Sequence, residues 1–158
     1  MKRLLIGVFG LAMLLGPITW VWAEDNPVIG TWTINLAKST YHPAALAPKR
    51  TTVTNTAVGD AIRTLVDVVD ARGKAYHYEY TVKLDGKDVP VTGDPNRDVT
   101  SIRKIDDYTY EQVNKRGAKM MTTSRVVYAK DGKSRTMTTK GTNPSGLAVN
   151  NVVVWDRQ

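Results

Sequence analysis

The sequence predicts an all-β fold: an antiparallel up-and-down meander of about ten strands that closes into a barrel, with at most one short helix near 37–47. Three observations carry this expectation. Turn signals recur at short, regular intervals from Val58 to the end of the chain. The segments between them alternate apolar and polar residues, the period of half-buried strands. The composition agrees: beyond residue 23 the chain holds 17 Val, 18 Thr and seven Tyr but only five Leu and five Ile. β-branched and aromatic side chains suit a pleated surface better than a helix.

The elements follow in order. Lys2-Arg3, the apolar run Leu4–Leu15, the break at Gly16-Pro17 and the small residue Ala23 have the three-part layout of a secretory signal peptide. Residues 1–23 are therefore expected to be cleaved, leaving 24–158 as one barrel domain, periplasmic or secreted. The first strand, near 30–36, places Trp32, Ile34 and Leu36 on one face. The 37–49 link has room for a helical turn or two between the limits set by Pro43 and Pro48. Strands near 50–57 and 61–70 meet at Gly59-Asp60. After Arg72-Gly73, a strand near 74–83 carries Tyr76, Tyr78, Tyr80 and Val82 on one face, with Ala75, His77, Glu79 and Thr81 on the other. Asp85-Gly86 is a strong hairpin signal, because both turn residues need positive φ, and it introduces a strand near 87–92. Four more strands, near 98–105, 108–115, 119–129 and 134–140, lie between Gly93–Asn96, Asp106-Asp107, Arg116-Gly117, Asp131-Gly132 and Asn143–Gly146. The last, near 147–156, aligns Val149, Val153 and Trp155 on one face, interrupted by Asn151.

Several chemistries are excluded or poorly supported. There is no Cys, so disulfide frameworks, thiolate metal sites and cysteine nucleophiles are ruled out. No Ser sits in a Gly-x-Ser-x-Gly elbow, and no phosphate-binding or dinucleotide-binding glycine loop appears. His77 and Glu79 share a strand face, but His-x-Glu alone supplies too few ligands for zinc. Asp94-Pro95-Asn96-Arg97-Asp98 begins like a calcium loop, yet its sixth and twelfth positions hold Val99 and Ile105 instead of Gly and Glu. The expectation is a protein that is not an enzyme, with no catalytic residues, metal or cofactor. Basic residues are spread along the chain, and export argues against a nucleic-acid partner.

Gly30-Thr31-Trp32 resembles the opening of the calycins, the lipocalins and fatty-acid-binding proteins, whose first strand begins Gly-x-Trp. Ten strands with a short insertion after the first are most similar to the fatty-acid-binding branch. The stretches 30–41, 85–96 and 138–143 also resemble a group of small exported bacterial proteins of unassigned function. The calycin resemblance implies that Trp32 closes one barrel end, with Arg157 as the last-strand arginine that lipocalins pair with this tryptophan. It implies a ligand portal at the end holding the first link. The Arg-x-Tyr carboxylate clamp of the fatty-acid-binding branch is not carried over, since Val153 and Trp155 stand at those positions.

Large aliphatic residues are too few to fill a barrel of this size. Tyr and Thr therefore either pack with paired hydroxyls or line a partly wet cavity. The cavity candidates are Trp32, Tyr76, Tyr78, Tyr80, Tyr108, Tyr110, Tyr128 and Trp155. Alternating connections also sort the charges. The first-link end receives nine basic residues (Lys38, Lys49, Arg50, Arg72, Lys74, Arg97, Lys115, Arg116 and Lys119) against Asp70, Asp94 and Asp98. The other end, with Asp88 among its acids, is close to neutral. Lys49, Arg50, Arg72, Lys74, Arg97, Lys115, Arg116 and Lys119 are expected to form a basic rim. The expected partner is a small apolar or anionic ligand in the interior; the alternative is a filled barrel acting through that rim on an anionic envelope surface.

Overall fold

The structure, a computed structural model, describes residues 26–158; the expected signal peptide lies outside the described residues. Ten antiparallel strands follow one another: β1 (Gly30–Thr40), β2 (Arg50–Val58), β3 (Ala61–Val69), β4 (Ala75–Val82), β5 (Val89–Pro90), β6 (Val99–Lys104), β7 (Thr109–Arg116), β8 (Lys119–Tyr128), β9 (Ser134–Thr142) and β10 (Ala148–Arg157). They form one sheet in the order β4-β3-β2-β1-β10-β9-β8-β7-β6-β5. Each strand pairs with its sequence neighbours, except at the β4–β5 step, and β1 pairs with β10. The sheet curls until its two edges meet. There Glu79 and Thr92 exchange both backbone hydrogen bonds, at 2.9 and 3.0 Å, so the barrel is nearly closed.

Closure tolerates no side chain at one point. Gly93 sits at φ +89°, and a Cβ there would lie 2.4 Å from the His77 carbonyl oxygen. Only glycine lets the two edges approach this closely.

Two local expectations are corrected. The first strand continues to Thr40, but its end bulges away from β10: Asn35 opposes Val154, whereas Thr40 already opposes Val152. Ser39 fills the gap, its hydroxyl donating to the Asn35 carbonyl at 2.6 Å and accepting from the Val154 amide at 3.0 Å. This turns Leu36 out of the interior to 42% exposure. The 37–47 link holds one 3-10 turn, Ala44–Leu46, within the expected limit of one short helix. Asp85-Gly86 does not join β4 to β5 as a hairpin. The 84–86 segment runs along β6 instead, with Gly86 N–H donating to the Ile102 carbonyl and Lys104 N–H to that of Leu84. β5 consequently shrinks to two residues.

The densest packing lies at the barrel end opposite the β1–β2 link. Trp32 is fully buried there, its indole donating to the Val28 carbonyl at 3.3 Å. Tyr128 meets Trp32 edge-on at 5.3 Å between ring centroids, and Tyr110 meets Tyr128 edge-on at 5.5 Å. Asn55 and Thr64 satisfy one another and the Val28 carbonyl through hydrogen bonds of 2.9 and 2.8 Å. Arg157 lies across the outer side of this plug, its guanidinium 5.2 Å from the Trp32 ring and bonded to the Ile29 carbonyl. Gly30 makes this possible: at φ +127° its α-carbon faces the guanidinium, 3.0 Å from where a Cβ would stand.

Candidate functional site

The aromatic plug fills only one end. Beyond it the interior opens into a cavity of about 750 Å³. Its walls come from inward-facing strand residues, among them Val66 and Val68 from β3, Tyr76, Tyr78 and Tyr80 from β4, Gln112 from β7, Val126 from β8, Met137 from β9, and Val149 and Asn151 from β10. Its mouth is bordered by Ala45, Leu46 and Pro48 of the first link, Ala71 and Arg72 of the β3–β4 turn, Pro95–Arg97 before β6, and Asn143 before β10. These are the loops of the first-link end.

The candidates read from the sequence separate into three groups. Tyr76, Tyr78, Tyr80, Tyr110, Tyr128 and Trp155 line the cavity. Trp32 lies beneath its floor as part of the plug. Tyr108 is 37% exposed and does not line it. Burial pushes the Tyr76 phenol up to about 12, with Asp94 adding to the effect, and burial drives Tyr78 higher still.

Among the basic residues, Arg97 is not a solvent-facing rim group. Its side chain is 11% exposed and ion-pairs through Nε with Asp94 Oδ2 at 2.9 Å, off the straight line of a hydrogen bond. Its Nη1 donates to Asn114 Oδ1 at 2.6 Å, and its guanidinium lies 4.8 Å from the Tyr78 ring. Burial works against the Arg97 charge, but Tyr78 and Asp94 outweigh it and raise its pKa. Asn114 in turn receives Thr100 at 2.9 Å and gives to Thr122 at 3.0 Å; Arg97 Nε has the Asp94 charge beside it but no hydrogen-bond partner among the described residues. Lys115 is also engaged, bonded at 2.7 Å to Asp88. Asp88 therefore sits beside the rim and not with the acids of the opposite end, because β5 is too short to carry it away. Arg116 donates to the Pro95 carbonyl. Lys49, Arg50, Arg72, Lys74 and Lys119 form no ion pair among the described residues.

His77 and Glu79 lie on the outer wall of β4, away from the cavity. His77 Nδ1 is 3.1 Å from Asp67, and Glu79 accepts from Arg63 at 2.7 Å. The calcium-like turn points its carboxylates apart: Asp94 toward Arg97, and Asp98 with both oxygens toward the Gly117 amide.

One charged wall residue set among aromatic side chains, Arg135, escapes the sequence reading. Arg135, on β9, pairs in register with Tyr128 of β8 and Trp155 of β10. All three side chains face inward, and Arg135 is only 8% exposed. The signal was present as a charged residue at an inward position between two strands whose facing residues are aromatic.

No protein-family model matches this chain, and no curated protein sequence matches it either.

Proposed function

We propose that this chain is an exported, non-enzymatic, calycin-like barrel that binds a small molecule with an apolar body in its interior. The cavity carries the reading. At about 750 Å³ it falls within the range of small-molecule sites, and its walls combine apolar surface with a few polar groups. A filled barrel would bring these walls together; here Met137 and the β4 tyrosines border the cavity.

The mouth supports the same reading. Arg72 borders the cavity itself, and Lys49, Arg50, Lys74 and Lys119 add cations at the first-link end. Leu46, beside the mouth, is 43% exposed. Such a rim attracts anionic small molecules at low ionic strength. It equally favours a second reading, in which the rim docks on an anionic envelope surface.

The test is a titration with N-phenyl-1-naphthylamine, an uncharged probe that brightens in apolar surroundings. The proposal expects saturable brightening, greatly weakened by Val68→Trp, which places an indole in the cavity. Brightening that is absent, or unchanged in this variant while it remains folded, would refute interior binding.

A further inference from the structure

From the contrast between the two interior arginines we infer that Arg135 anchors the anionic head group of the ligand, a carboxylate, at the cavity floor. This rests on the interior-binding reading above and gives the ligand a polarity and an orientation: acid group inward, apolar body toward the mouth.

The fold gives Arg97 a carboxylate of its own in Asp94, at 2.9 Å. It gives none to Arg135. Among the described residues Arg135 forms no ion pair, and its one hydrogen bond runs from Nη1 to the Tyr128 hydroxyl at 2.9 Å. Its Nε is buried with no hydrogen-bond partner among the described residues, and so is the neighbouring Trp155 Nε1; Arg97 Nε shares that lack, but there Asp94 supplies the counter-charge that Arg135 is without. A buried cation without a counter-charge is costly, and buried donors without acceptors add to that cost.

Aromatic rings offset part of the cost. The guanidinium lies 4.8 Å from the Trp155 ring, 5.2 Å from Trp32 and 5.7 Å from Tyr128. These contacts stabilise the charge but accept no N–H bond. They also hold the planar group in one orientation, with Tyr128 fixing one of its nitrogens. The result is a preorganised cation lining a cavity whose adjoining walls are apolar. A carboxylate fits it in charge and in hydrogen-bonding capacity, because it accepts several bonds and donates none. A neutral alcohol supplies no charge, and an ammonium would be repelled.

The chemistry points to a monocarboxylate with an apolar body. Two sources are compatible, a free fatty acid and an aromatic acid, and both are included in the experiment. Displacement of N-phenyl-1-naphthylamine from the full chain is compared for decanoate and 1-decanol, and for 2-naphthoate and 2-naphthol, at a pH where both acids are ionised and the naphthol is not. In wild type at least one acid is expected to displace the probe at concentrations about tenfold or more below its alcohol, the scale of a hydrogen bond to a charged group. Which acid does so identifies the source. Arg135→Met is expected to bring that ratio to within about twofold, and Tyr128→Phe to lower it by a smaller factor. A second readout needs no variant: the effective acid should raise the midpoint of thermal unfolding more than its alcohol at equal concentration.

Equal displacement by acid and alcohol in both wild-type pairs would overturn the anchor while leaving interior binding intact. So would an acid preference that survives in folded Arg135→Met. Failure of the probe and of all four compounds to bind would instead overturn interior binding, and the anchor with it.

Discussion

At Trp32 the contacts of both barrel surfaces converge: the Val28 carbonyl on its indole nitrogen, Tyr128 against its edge, and the guanidiniums of Arg135 and Arg157 each 5.2 Å from its rings. Truncation would remove the partner of all four at once and leave a void where no water enters easily. Trp32→Ala is expected to cost about 3–5 kcal/mol of folding stability, measured by urea unfolding; a loss below about 1 kcal/mol would contradict the plug. The tyrosines give a second residue-scale expectation. Tyr41, Tyr76, Tyr78 and Tyr110 all have folded pKa values raised by burial above the ordinary 10.0, Tyr76 to about 12. The folded chain thus keeps protons that the unfolded chain releases near pH 10. Their stabilising effect is complete below that pH and declines as pH rises toward 12 and beyond. Tyrosinate absorbance should therefore rise in at least two stages, the later one accompanying alkaline unfolding. A single transition near 10 would be inconsistent with buried phenols.

Among the elements, the closing edge is the least secured. β5 has two residues, and the seam between β4 and the chain beyond β5 rests on the Glu79–Thr92 pair of backbone hydrogen bonds. Amide exchange is expected to be faster at Glu79 and Thr92 than at the middle of β2 or β3, which are paired on both sides. Gly93→Ala would push a methyl group into the His77 carbonyl and should destabilise the protein by about 1–3 kcal/mol while accelerating exchange at this seam first. The same region marks how far the sequence can be read. Asp131-Gly132 and Asp85-Gly86 carry the same turn chemistry. The former is a hairpin, with Gly132 N–H donating to the Ala129 carbonyl. The latter is captured by β6 because the sheet edges have to meet, a tertiary demand that no local signal contains. The β1 bulge is a similar case: Asn35 reads locally as a strand residue and Ser39 as part of the following link, and only pairing with β10 reveals their part in the bulge.

For the whole molecule, the number of strands decides where the charges go. Ten strands in simple succession put the links 41–49, 70–74, 91–98, 117–118 and 143–147 at one end, and the cavity opens there. That much was legible in turn spacing and alternation, as were six of the eight aromatic cavity candidates. What was not legible was which charges are already neutralised. Arg97 and Lys115 count toward the rim in sequence, but Asp94 and Asp88 hold them, and Arg135 looked like any strand arginine until the register set it between Tyr128 and Trp155. Retention on anionic vesicles, if the rim docks there, is expected to fall with added salt and with the Arg72→Glu/Lys74→Glu pair, but much less with Arg97→Gln. Retention insensitive to both salt and the rim pair would leave the rim a solubilising surface.

Interior binding itself is tested most directly by methionine methyl NMR. Met137 lines the cavity, whereas Met120 is 59% exposed on the outside. Titration with decanoate is expected to shift the Met137 methyl resonance saturably while leaving that of Met120 in place. A Met137 signal unmoved by decanoate and by N-phenyl-1-naphthylamine alike would contradict a ligand in the barrel.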